Sequence, residues 1–78
     1  MNNNIVDLKK IKRLRRNKGI DRDTMAKLLG LTSIYSYRNK EVGQRGFNIK
    51  ELYIIAKLFK MPMEDLLLTD KEEAKLND

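Results

Sequence analysis

The chain has 78 residues, 41% of them apolar and 36% charged, and a formal net charge of +6. A chain this short buries only about 60% of its unfolded surface, so the composition supports one domain with one small core and no second unit. It has neither cysteine nor histidine, which excludes disulfides and thiolate metal sites and removes the commonest metal ligand and general base.

The opening stretch, MNNNIVDLKK, holds no apolar signal core. No apolar run approaches the roughly 20 residues of a membrane helix. A cytoplasmic protein of a bacterial cytosol is expected. Ile5, Leu8, Ile11 and Leu14 recur every three residues and predict the inward face of a first helix. Seven cations (Lys9, Lys10, Lys12, Arg13, Arg15, Arg16 and Lys18) fill its other faces. Only one side can meet a partner, so most of them are expected to be solvated. Gly19 ends the helix. Asp21 caps a second helix from Arg22 to about Leu29, with Met25, Ala26, Leu28 and Leu29 as its apolar stripe. Gly30 can take the left-handed conformation that closes a helix. Thr32 or Ser33 can then start a third helix, which fades near Glu41. Val42 to Gly46 reads as a loop by its two glycines.

Asn48 with Glu51 three residues on forms a capping box for a fourth helix carrying Ile49, Leu52, Ile55, Ala56 and Phe59. Pro62 breaks that helix or opens the next. Glu64 and Asp65 suit the positive end of a fifth helix carrying Leu66 and Leu67. Leu66, Leu67 and Leu68 are consecutive, so one helix face cannot bury all three, and at least one is expected at the surface or in an interface. Met61 and Met63 fit either an adaptable surface or gap-filling at the end of the core, the second being the commoner use. Thr69 with Glu72 is another capping box, so the acidic tail 69–78 is read as partly helical. No segment alternates with period two. The fold class is all-α: a compact bundle of five short helices over 1–68, with a helix-turn-helix at helices 2–3.

A short helix, a glycine turn and a second short helix at a steep angle, in a small basic chain, most often present a helix to the major groove of DNA. The charge distribution points the same way. Residues 1–60 carry 15 Lys and Arg against 5 Asp and Glu, a balance of +10, whereas residues 61–78 carry 2 against 6. A basic body suggests a polyanionic partner, although the same pattern also serves solubility.

Four blocks carry a family likeness. They are Lys18-Gly19-Ile20 after a basic helix; Met25-Ala26-Lys27-Leu28-Leu29-Gly30-Leu31-Thr32; Asn39-Lys40-Glu41-Val42-Gly43 followed by Gln44-Arg45-Gly46-Phe47; and Ile55-Ala56-Lys57-Leu58-Phe59 with Met63-Glu64-Asp65-Leu66-Leu67. Over roughly residues 5–68 the chain resembles the lambda-repressor-like helix-turn-helix proteins. That group contains phage Cro and repressor domains and the xenobiotic-response-element regulators. The block from Tyr37 to Phe47 looks most like phage-type regulators of Gram-positive bacteria. The resemblance implies a transcriptional regulator bound to an operator. It also implies a homodimer at least on DNA, since relatives often pair through the C-terminal end of the domain. Two departures stand out. The family usually has Gln at the first turn of the second helix, to hold the DNA backbone, and this chain has Arg22, which keeps a phosphate donor. Gly30 and Gly43 also stand one residue further apart than in the family, a lengthening between Leu31 and Tyr37.

Reading a groove needs short or planar polar side chains on the outward face of the third helix. If Ile34 and Tyr37 face inward, Tyr35, Ser36 and Asn39 face out. Asn39 offers a donor and an acceptor to adenine, Tyr35 and Ser36 suit thymine methyls, base edges or phosphates, and Arg38 suits guanine. Ser33 and Thr32 stand at the helix start, where backbone N–H groups favour a phosphate. The expected base readers are Ser33, Tyr35, Ser36, Arg38 and Asn39. The expected phosphate contacts are Arg22, Thr32, Lys40, Gln44 and Arg45, helped by the N–H groups of Gly43 and Gly46. Each has a plainer reading. Ser33 can be only a cap, Tyr35 a core aromatic with Tyr37 turned outward, Asn39 a solvated helix end, Arg38 a partner of Glu41 or Asp23, and Arg45 a loose surface charge.

The expected function is a sequence-specific double-stranded DNA-binding regulator with no cofactor, no metal, no small-molecule substrate and no membrane role. The alternative is a protein-interaction module such as an antitoxin, suggested by the acidic tail and the leucine run. Without His, Cys, a phosphate loop or room for a deep pocket, the chain is read as not an enzyme.

Overall fold

Caps and glycines divide the chain into short helices. The computed structural model describes residues 5–68. The Asp7 carboxylate accepts from the Lys10 N–H and starts α1, Leu8–Asn17. Asp21 accepts from the Thr24 N–H and starts α2, Arg22–Leu28. Ser33 accepts from the Ser36 N–H and starts α3, Ile34–Glu41. Asn48 and Glu51 form the full capping box of α4, Ile49–Leu58. Gly30 sits at φ +71°, where the Leu31 N–H donates to the Ala26 carbonyl and closes α2. Gly43, at φ +90°, closes α3; a Cβ there would meet Leu8 Cδ1 at 3.1 Å.

The described residues are all-helical, with four α-helices where five were expected. In place of the fifth is a 3₁₀ turn, Met63–Leu66. Chain pairing is the physical reason. Past the turn, Leu67 and Leu68 are extended: Leu67 bridges antiparallel to Val6, and the Leu68 N–H donates to the Ile5 carbonyl. The Asp7 N–H and Lys10 Nζ donate to the Leu66 and Asp65 carbonyls. Extended geometry also settles the leucine run: Leu66 is buried, and Leu67 and Leu68 are half-buried. The expected helical turn at Thr69–Glu72 lies outside the described residues.

Each element contributes one fully buried residue to the core: Ile11 (α1), Met25 (α2), Tyr37 (α3), Ile55 (α4) and Leu66 (the 3₁₀ turn). Phe47, in the loop before α4, is buried with its ring 6.2 Å from that of Tyr37. Met61 and Met63 pack against the edge of this core. Four residues expected on inward faces are instead exposed: Ile5, Leu28, Ile34 and Ile49. Ile5 precedes α1, and Val6 takes the buried place. The other three lie on the first or last turn of their helices, where the core has already narrowed. Among the described residues no helix is long and apolar enough to cross a membrane.

Candidate nucleic-acid interface

The inner face of α3 is fastened by a buried charge cluster. Glu41 lies within the core with its carboxylate fully covered. Arg15, from α1, donates through Nε to Oε2 at 2.8 Å and through a second guanidinium nitrogen to Oε1 at 3.1 Å. Arg22, from α2, donates through Nε to Oε1 at 3.1 Å. The Tyr37 hydroxyl, one turn back on α3, donates to Oε2 at 2.7 Å. Arg15 also donates to the Ile20 carbonyl at 2.8 Å. Three helices thus meet at one carboxylate through a bidentate pair, a second arginine and a phenol.

The electrostatics follow from this packing. Burial opposes the charge on Glu41, but the hydrogen bonds from Arg15, Tyr37 and Arg22 outweigh it and hold its carboxyl below the ordinary value. The hydrogen bond to Glu41 holds the Arg15 guanidinium charged, against the desolvation of its burial. Desolvation, then the hydrogen bond to Glu41, pushes the Tyr37 phenol far above its usual range.

The outer face of α3 is open. Tyr35 is 71% exposed and Arg38 is exposed, with Asn39 and Ser36 half-buried beside them. The choice between the two tyrosines is therefore resolved: Tyr37 is the core aromatic and Tyr35 points out. Arg38 pairs with neither Glu41 nor Asp23. The only described polar contact of its side chain is a 3.5 Å approach to the Asn39 side-chain oxygen, whereas Asp23 pairs with Lys27. Ser33 is the α3 cap, and its hydroxyl lies 3.1 Å from that of Ser36. Thr32, Gln44 and Arg45 are exposed. The Asn39 carbonyl accepts from the Gln44 and Arg45 N–H groups, which draws the following loop against the end of α3.

Two expected phosphate donors lie elsewhere. Arg22 has only 28% of its side chain exposed and is paired with Glu41. Lys40 has 16% exposed and braces α3 to α4, donating to the Gly46 carbonyl at 2.9 Å and meeting Glu51 Oε1 at 3.0 Å. The Gly43 N–H, expected at a phosphate, donates to the Lys40 carbonyl instead. The structure brings Tyr35, Ser36, Arg38 and Asn39 together on one helix, with Ser33 and Thr32 at its start and Gln44 and Arg45 at its end.

Arg15 and Glu41 were missed by sequence reasoning as a functional pair. A signal existed: Leu8, Ile11 and Arg15 share one helical stripe, as do Tyr37 and Glu41 one turn apart. A charge standing on an apolar stripe is the mark of a buried partner. Four of the cations left outside this pair, Lys9, Lys12, Arg13 and Arg16, line a shallow solvated hollow along α1 with Asn17. Comparison of the chain with protein-family models, with curated proteins and with solved structures gave no match.

Proposed function

We propose that this chain is a cytosolic transcriptional regulator of the lambda-repressor-like kind, which binds an operator in double-stranded DNA by laying α3 in the major groove. One observation carries the reading. The inner face of α3 is clamped by Arg15 and Arg22 on Glu41, while its outer face leaves Tyr35 and Arg38 open to solvent with Asn39 half-buried beside them. A rigid helix with a free polar face on a body of charge +10 is what groove reading requires. Arg45, Gln44 and Thr32 flank that face and supply the phosphate contacts. One small domain makes few such contacts, so a homodimer on the operator, with its two α3 helices about 34 Å apart, supplies the remaining affinity.

The test is an anisotropy titration of the full chain against duplex DNA from its own promoter region, over a range of salt. Affinity is expected to fall steeply with salt and to favour one site over bulk DNA. Asn39→Ala should lose about 1–3 kcal/mol at that site and relax specificity, whereas Arg45→Ala should weaken all sequences alike. Salt-insensitive binding, or equal binding to every duplex, overturns the reading.

A second reading has its own observation. Ile49 and Tyr53 are exposed one turn apart on α4, an apolar pair suited to a protein partner. An interaction module such as an antitoxin would co-purify with that partner. A chain that runs alone as a monomer or homodimer in size exclusion with multi-angle scattering counts against it.

A further inference from the structure

We infer that Ile34 and Tyr35 form an apolar reading pair for thymine C5 methyl groups, so that the operator half-site carries thymine opposite the first turn of α3. The inference rests on the reading of α3 as the groove-facing helix and goes further by naming what its leading turn recognises. Ile34 is 41% exposed and Tyr35 is 71% exposed, two adjacent large side chains that water solvates poorly. Both stand on the first turn of α3, beyond the narrowed core, and neither belongs to the buried set of the described residues. Tyr37 alone fills the core position of that turn, and the buried stripe of α3 continues to Glu41.

The two serine hydroxyls of the same turn are already engaged with each other. The Ser33 hydroxyl accepts from the Ser36 N–H and lies 3.1 Å from the Ser36 hydroxyl. The first turn therefore meets a groove with its apolar pair, while Arg38 and Asn39 supply donors and acceptors one turn later. In a helix-turn-helix the leading residues of the second helix reach the base edges. The thymine methyl is the one apolar group that the four base pairs present in the major groove. Ile34 offers no hydrogen bond at all. A cytosine amino group or guanine oxygen pressed against it would lose its water without gaining a partner, which selects against G·C pairs as well as for thymine.

The experiment selects bound duplexes from a randomised pool with the full chain. Each thymine of the enriched site is then replaced, singly, by uracil, which removes the methyl and leaves every hydrogen-bonding group in place. The expected result is an enriched site with neighbouring thymines, at which each uracil weakens binding about fourfold, the worth of one buried methyl group. With Ile34→Ala the uracil penalty at one of those positions should vanish, while Ile34→Val should retain part of it. An enriched site at which no uracil changes the Kd by more than twofold overturns the methyl reading and leaves groove binding by α3 standing. A selection that enriches no site overturns both. Unchanged selection by Ile34→Ala and Tyr35→Ala, with loss of self-association instead, reassigns the pair to a protein contact and overturns the inference.

Discussion

Glu41 and Glu51 are both buried, both accept a hydrogen bond and pair with a cation, and both hold α3, yet they are built differently. Glu41 draws its partners from three helices: Arg15 on α1, Arg22 on α2 and Tyr37 on α3. Glu51 serves first as the local cap of α4, its Oε1 accepting from the Asn48 N–H at 2.9 Å, and takes Lys40 of α3 as an added partner. A capping box needs only its own helix to exist. The Glu41 cluster needs the assembled domain, so it reports on the pose of α3, whereas Glu51 reports on the start of α4.

Glu41→Gln breaks the comparison most strongly. It leaves two guanidinium groups, one of them buried, facing a neutral amide. Removing one partner of a buried ion pair costs about 3–5 kcal/mol. A domain of this size is stable by roughly 5–10 kcal/mol, so urea denaturation should show the midpoint falling by about half or more. A sharper version replaces the three buried members of the network together, as Arg15→Met, Tyr37→Phe and Glu41→Leu, and leaves the partly exposed Arg22 to solvent. Burying apolar groups of similar volume is often neutral or stabilising. If the cluster acts by aiming α3, this variant should stay folded and yet lose the preference for its operator. Retained operator preference in a folded triple variant would mean that the cluster contributes stability alone.

Acid tests the Glu41 cluster next. The Glu41 carboxyl is held below its ordinary value of 4.5 by hydrogen bonds that exceed the cost of burial. A depressed carboxyl contributes stability that is complete above the unfolded value and is lost as pH falls through the folded one. The wild-type chain should therefore lose stability steadily below about pH 4.5 in denaturant midpoints measured at each pH. Glu41→Gln should remove a large share of that slope. A variant with the full wild-type slope would place the acid sensitivity on other carboxylates.

Glu51→Gln should cost less, about 1 kcal/mol. The amide oxygen can still accept from the Asn48 N–H, so the change weakens the interaction with Lys40 and leaves the cap in place. The midpoint in urea measures it, and a loss as large as that of Glu41→Gln would erase the distinction between a local and a long-range glutamate.

How much of this was legible in the sequence follows the same division. Asp21, Ser33 and the Asn48–Glu51 box act on neighbouring residues, and all were readable from spacing. The turn at Gly30 was readable because its conformation favours a residue without a Cβ. The fifth helix was misread because the segment after Pro62 has helical residue types, but its backbone finds partners in Ile5, Val6 and Asp7, some 60 positions away. Within the candidate site, α3 periodicity placed Tyr35, Ser36 and Asn39 outward, and the structure exposes Tyr35 together with Arg38 while Ser36 and Asn39 are half-buried. The diversion of Arg22 and Lys40 into ion pairs did not, because a cation's spacing does not say which distant carboxylate will face it.

The smallest expected effect on stability carries the clearest functional contrast, between Lys40 and Arg45. The two cations lie five residues apart and both were expected at phosphates. Lys40 is enclosed between α3 and α4, its ammonium occupied by the Gly46 carbonyl and Glu51. Arg45 is exposed in the loop that the Asn39 carbonyl draws against α3. Lys40→Met should cost about 1 kcal/mol, the net worth of a hydrogen bond, because Met keeps the packing of the aliphatic stem and Glu51 keeps its cap partner. It should leave the salt dependence of DNA binding unchanged. Arg45→Met should leave the urea midpoint in place and reduce the slope of log affinity against log salt by about 1, the signature of one lost phosphate contact. The reverse pattern, in which Lys40→Met lowers the slope and Arg45→Met does not, would require the brace between α3 and α4 to open on DNA, and the phosphate contacts would then run along the Lys40 side of the helix.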